Sequence, residues 1–337
     1  MALSMTALCL VAISAVALNG YSSNSDSRQE SAPKPLGQMV DLGGHRLHVN
    51  CSGHGSPTVV IENGFDEYSF DWIFAQSRVA HFTRVCTYDR AGYAWSERGP
   101  KPRTFAQINL ELRDALARLG ETIPFVLVGH SFGGPAVRNF ALMYPKLVAG
   151  IVFVDAASEE QRYTMGNKAI LLRDGATGRV IAEAREQMLA SDQRRPLASL
   201  PPAETTIDPP FDRLPQKIQK LHMWADSQPA MHDAEESERT WSPEYFKQWY
   251  ETSQAGSLGS IPLIVLMRAE GGYGNDLDIS AFQLETERKQ AHAHLAALST
   301  HGKLQIVHSG HNMQVEAPVA VSQAIQNVVV AARKRSQ

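Results

Sequence analysis

The sequence predicts an α/β fold, a mostly parallel eight-stranded sheet with helices on both faces and a helical segment inserted after strand 6. Three observations carry this. From residue 38 onward, short apolar runs of strand length alternate with longer segments at helical spacing. Most of those runs are apolar throughout, as expected of strands covered on both faces. About a hundred residues between 155 and 261 then break the rhythm before it resumes.

In chain order, residues 38–42 and 46–51 form a hairpin across Gly43-Gly44, and residues 58–62 form a buried strand ending at Asn63-Gly64. The spacing predicts a helix over 70–81 and a strand over 83–88. Thr104 followed three residues later by Gln107 is a capping-box pattern, which opens a helix to about Leu119. Residues 125–130 are the next strand and 135–144 the helix after it. A strand over 150–154 ends at Asp155. Residues 261–267 and 304–308 supply two more, with helices over 282–298 and 319–332. The resulting divisions are a signal-like segment at 1–20, a polar linker at 21–35, a core at 36–155 and 261–337, and an inserted cap at 156–260.

With 337 residues, 43% of them apolar, the chain can bury a large core. A net charge of −3 and the lack of a dense Lys/Arg stripe argue against a nucleic-acid partner and for a small-molecule substrate. The first 25 residues carry no charged side chain, and 7–18 is an apolar run too short to span a bilayer comfortably. Ala15-Val16-Ala17 supplies small residues for cleavage, so the expectation is export to the periplasm or outside the cell. A retained N-terminal membrane anchor is the alternative, because no Lys or Arg precedes the apolar run. Cys51 and Cys86 lie in neighbouring strand-like segments; a disulfide and two buried thiols are both open readings.

Residues 125–134 read FVLVGHSFGG, an apolar strand running through Gly129-His130-Ser131-Phe132-Gly133 into a helix. This is the pattern of a nucleophile elbow. A serine hydroxyl needs a tight turn to push it clear of the sheet toward a base, and the flanking glycines let strand and helix approach. Two further motifs follow the same order: YDRAGYAWS at 88–96 and HSGHNMQVEAP at 308–318. With the elbow they resemble the α/β-hydrolase family over residues 38–330, Ala94 standing where that family's D-x-R-G-x-G-x-S segment has its second glycine.

The resemblance implies a serine hydrolase with a Ser-Asp-His triad. Of twelve histidines, His311 sits in the loop after the last strand and is the expected general base. A metal site at His308 and His311 lacks neighbouring ligands at convincing spacing, so neither metal nor cofactor is expected. The acid is Asp155, which directly ends an apolar strand, with Glu270 as the alternative. Backbone N–H groups of Phe132 and Phe65 are the expected oxyanion donors. Asp66 and Glu67 in the same loop read as solvated charges. Trp224, Trp241, Tyr245, Phe246, Trp249 and Tyr250 in the insertion are candidates to line an apolar pocket, one or two of them touching substrate.

The function these features imply is hydrolysis of small carboxylic esters through an acyl-enzyme. Amide, lactone or thioester hydrolysis, acyl transfer and cofactor-free haloperoxidase chemistry are alternatives on the same scaffold. A non-catalytic ligand-binding protein is the reading from another class, which the intact serine and histidine disfavour. No stable membrane association is expected unless the N-terminal segment is retained.

Overall fold

The computed structural model describes residues 32–335 apart from 166–167, 175–181, 198–205, 270 and 272–277. The signal-like segment and most of the linker, like Glu270, lie outside the described residues. The unit beginning at Pro35 contains every strand and helix below. It comprises β1 (Gln38–Asp41), β2 (Arg46–Ser52), β3 (Val59–Glu62), α1 (Ile73–Val79), β4 (Val85–Tyr88) and α2 (Phe105–Arg118). These are followed by β5 (Phe125–His130), α3 (Gly133–Met143), β6 (Val148–Val154), β7 (Arg162–Met165) and β8 (Lys168–Leu171). Next come α4 (Ala182–Arg194), α5 (Gln216–Asp226), α6 (Pro229–Thr252) and β9 (Leu263–Arg268). The chain closes with α7 (Ala281–Ala297), β10 (Gly302–Val307), α8 (Met313–Glu316) and α9 (Pro318–Arg335).

Eight strands form one sheet in the order β1-β2-β4-β3-β5-β6-β9-β10. The β1–β2 and β2–β4 pairs are antiparallel and all others parallel. Alternation along each central strand divides the core in two. Val60, Leu127, Phe153 and Val265 face Leu112, Val137, Phe140 and Leu295 of α2, α3 and α7. Val59, Ile61, Val126, Val128, Val152 and Val154 face Ala75, Val79, Ile325 and Val328 of α1 and α9. Covering both faces explains why these strands read as unbroken apolar runs. The chain moves outward from β3 in one direction and, from β5, in the other. The carboxyl ends of β3 and β5 therefore meet at a topological switch point, where α/β sheets bind ligands.

Local differences from the expected elements have local causes. The helix expected over 70–81 is split into a single tight turn at Ser69–Trp72 followed by α1. Asp71 accepts the Tyr68 N–H at 2.9 Å and closes that turn on itself. At α2 only half of the capping box forms: Thr104 Oγ1 accepts Gln107 N–H at 3.1 Å, while the Gln107 amide donates onward to Glu111 at 2.8 Å. The insertion between β6 and β9 is not wholly helical, since β7 and β8 pair as an antiparallel hairpin.

Cys51 and Cys86 stand directly opposite each other in the β2–β4 ladder and are joined by a disulfide. The bond closes a loop with a sequence separation of 35 residues, so removing it frees the unfolded chain. Reduction, or a Cys51→Ser/Cys86→Ser double variant, is expected to lower unfolding free energy by about 3 kcal/mol, read from urea denaturation with and without reductant. Among the described residues no helix is long and apolar enough to cross a membrane.

Candidate active site

The buried strand β5 ends at His130, and the next residue, Ser131, has a positive φ of 49°. Such a backbone costs a non-glycine residue about 1–3 kcal/mol and persists only where its surroundings fix it. Here they do. Ser131 N–H donates to Val154 O at 3.2 Å, and Ser131 O accepts from Gly134 N–H at 3.1 Å and Ala157 N–H at 3.0 Å. The glycines are required by space: a Cβ at Gly129 would lie 2.4 Å from Gly133 O, and one at Gly133 would lie 2.3 Å from Glu62 O.

The same hydrogen bonds place the end of β6 against the elbow. Asp155, the first residue after β6, also has a positive φ, 39°. Its Oδ2 accepts from His311 Nδ1 at 2.7 Å and from Arg268 Nη1; its Oδ1 accepts from Arg268 N–H at 3.1 Å. His292 Nε2 and Arg288 Nη1 stand 3.4 and 3.8 Å from the same Oδ1. Burial opposes ionisation of this carboxyl, but the His292 and His311 imidazoles and the Arg268 guanidinium hold it well below the usual carboxylate range. The bond at Nδ1 fixes the His311 tautomer and leaves Nε2 to accept a proton. Burial, opposed by Asp155 and assisted by the neighbouring His130, lowers His311 below its ordinary value. The side chain is still 43% exposed, so the ring is open to solvent.

Phe65 and Phe132 flank this arrangement with rings stacked at 4.0 Å. Among the described residues neither backbone N–H has an acceptor. The loop carbonyls do have partners: Arg90 donates to Asn63 O at 2.7 Å and to Gly64 O at 2.9 Å. Because the Gly64–Phe65 peptide is planar and trans, fixing its carbonyl on Arg90 aims the Phe65 N–H the opposite way.

Arg90 belongs to the YDRAGYAWS motif but its role was not read from sequence. It is 1% exposed and forms ion pairs with Glu62 at 3.1 Å and with Glu238 of α6 at 3.0 Å. Tyr93 completes the group by donating to Glu238 at 2.8 Å. Burial pushes the Glu62 carboxyl up to about 7, with Arg90 opposing. Arg90→Met would leave two buried carboxyls without their guanidinium and is expected to cost about 4 kcal/mol of stability, measured by urea denaturation. In the same motif Ala94 takes a φ of 41°, the conformation for which glycine is suited, in keeping with the glycine expected there.

The reading of Glu67 as a solvated charge is wrong. It is 3% exposed; Oε2 accepts Gly64 N–H at 2.7 Å, and Oε1 accepts Gln314 Nε2 at 3.0 Å and lies 2.6 Å from His130 Nδ1. Its loop neighbour Asp66 is the exposed one, 4.0 Å from Arg239. Of the aromatic residues in the insertion, Trp241, Phe246 and Trp249 are buried, the last two packed with Phe105, Phe132 and Phe65. Trp224 packs on Trp95, Tyr245 on Phe105, and Tyr250 is exposed beneath Arg173.

The protein named "Probable transporter efuK" of Hormonema carpetanum is 32% identical over 129 residues, 36% of this chain and 18% of that protein. The chain spans less than half the length of the first curated relatives it matches. Among solved structures, a thermophilic esterase from Thermogutta terrifontis superposes with a TM-score of 0.58 at 17% identity, covering 88% of this chain and 98% of the other. The enol-lactonase of Burkholderia xenovorans LB400 gives 0.58 at 13% identity, covering 87% and 100%. At these identities the likeness is one of fold. The model of the alpha/beta hydrolase family matches residues 47–324, and with that extent of agreement the chain belongs to the alpha/beta hydrolase family.

Proposed function

We propose that this chain is a serine hydrolase that cleaves small carboxylic esters through a covalent acyl-enzyme. The observation that carries the reading is the 2.7 Å contact of His311 Nδ1 with a buried, ionised Asp155, formed beside the elbow that holds Ser131 at positive φ. In this reading Ser131 Oγ attacks the acyl carbon as His311 Nε2 takes its proton, and Asp155 stabilises the imidazolium. The Phe65 and Phe132 N–H groups receive the oxyanion. Collapse breaks the acyl–oxygen bond, and His311 returns the proton to the departing alkoxide. Water, deprotonated by His311, then attacks the acyl-serine. That intermediate collapses with the proton returning to Ser131, freeing the carboxylic acid. The cycle closes without a cofactor.

The shared fold of an esterase and an enol-lactonase supports an ester or lactone bond as the target. A fluorophosphonate probe is expected to label the folded protein stoichiometrically at Ser131, as read by peptide mapping; a folded protein that takes no label there sinks the reading. A panel of p-nitrophenyl esters of increasing chain length, with lactone, amide and thioester counterparts, then ranks the substrates. We also propose export, which agrees with the Cys51–Cys86 bond, since disulfides persist in oxidising compartments.

Because the base must be neutral, activity rises with pH as His311 loses its proton. The depressed pKa of that ring puts the acid limb of kcat/KM below pH 6.5, to be read from a profile between pH 4.5 and 8 with about half-unit steps.

A further inference from the structure

Both ring nitrogens of His130 face oxygen. Nδ1 lies 2.6 Å from Glu67 Oε1, and Nε2 lies 2.8 Å from the main-chain carbonyl of His311. Neither oxygen has a proton to offer when the carboxyl is ionised, and a neutral imidazole has only one N–H. The Nε2 contact is a hydrogen bond that the ring must donate, whereas the Nδ1 contact is an ion pair by distance without hydrogen-bond alignment; the two are favourable together only for the doubly protonated ring. That ring is fully buried, and its aromatic neighbours among the described residues are Trp72, edge-on at 6.3 Å, and His311, with ring centroids 4.6 Å apart.

The pair joins segments that are remote in sequence. Glu67 holds Gly64 N–H, one residue before the candidate oxyanion donor Phe65, and Gln314 of α8. His130 immediately precedes Ser131 and holds the backbone at His311. A buried ion pair is a poor source of net stability, because desolvating two charges offsets most of their attraction. Its distinguishing property is direction: each contact here fixes a loop that carries one of the proposed reacting groups.

We propose that Glu67 and His130 are positioning residues, a buried carboxylate–imidazolium strut that holds the oxyanion turn, the elbow and the His311 loop in one frame. This rests on the serine-hydrolase reading of the site. The strut has a second, electrostatic effect. A cation packed on the His311 ring disfavours a second positive charge there and keeps the base neutral. The charged groups facing His130 are Glu67 and, farther off, Asp155. Those facing His311 are Asp155, Arg268 and His130. Glu67 is also near Asp71, which is paired with His222. Burial would push His130 down, but Glu67 outweighs it and the ring stays above its ordinary 6.5. Glu67 likewise stays below its ordinary 4.5 despite burial.

The test uses nitrogen-15 NMR of the histidine side chains in the full folded chain, which needs no turnover, together with steady-state hydrolysis of p-nitrophenyl acetate. In the wild type the His130 signals are expected to be those of an imidazolium at pH 7.5, with the His311 midpoint below 6.5. In His130→Gln the His311 midpoint should rise by about one unit, kcat should fall about ten- to a hundredfold, and KM should change less than about threefold. Glu67→Gln, which preserves the shape and an acceptor for Gly64, should return His130 to the neutral form at pH 7.5 and lower kcat by a similar factor. A neutral His130 in the wild type, or a His311 midpoint and kcat that neither substitution moves, overturns the strut. If the wild type instead hydrolyses no ester and takes no fluorophosphonate while His130 is charged, the hydrolase reading has failed, and with it the positioning role; the imidazolium itself stands.

Discussion

Ser131→Ala is expected to lower kcat/KM for a p-nitrophenyl ester by about a million-fold and to abolish fluorophosphonate labelling, with the far-ultraviolet circular dichroism unchanged. The argument is one of bonds. Without Oγ no acyl-enzyme forms, and the remaining groups offer only the oxyanion donors and an approximately oriented base to a water molecule. The fold should survive, because the contacts that clamp residue 131 are made by its main chain, to Val154, Gly134 and Ala157, and alanine keeps all of them. Stopped-flow measurement with substrate in excess would also show whether the wild type releases a burst of p-nitrophenol, as an accumulating acyl-enzyme does.

Asp155→Asn should lower kcat about ten-thousand-fold. An amide at this position can turn its NH2 toward His311 Nδ1, which then becomes the acceptor and forces the proton onto Nε2. The base is then protonated where it must accept. The same change removes the anion that faces Arg268, Arg288 and His292, so part of the cost falls on stability, about 3–5 kcal/mol by the usual measure of a broken buried pair. The kinetic and structural parts separate when kcat is measured at a temperature where both proteins are folded, with melting followed alongside. Glu270→Gln is the matching control and is expected to keep near-normal turnover. If Glu270→Gln loses orders of magnitude while Asp155→Asn does not, the acid has been misassigned.

The legibility of these parts in the sequence follows their locality. The elbow is legible because its determinants, an apolar strand, two glycines and a helix, follow one another without interruption from Phe125 to Met143. Asp155 is legible because it ends an apolar run, and the mostly parallel sheet follows from alternating strands and helices. What escapes is whatever depends on a distant partner. Glu67 looks like a loop charge until folding brings it to His130, and nothing in either residue's neighbourhood announces the other. Arg90 is visible within a motif, yet its partner Glu238 lies 148 positions away in a segment with no motif of its own. The β7–β8 hairpin is a milder case. Gly166-Asn167 between short strand-like stretches is a turn signal, but four residues a side are too few to stand out beside helical spacing.

The guanidinium shared by Glu62 and Glu238 limits how freely this family member can be recombined. Exchanging residues 156–260 for those of a relative would leave the buried Arg90 with Glu62 as its remaining acid unless the graft supplied another at the same height on its long helix. Chimaeras that transplant that stretch should therefore be less stable to urea than the parent unless the donor carries such an acid or Arg90 is replaced in the same step.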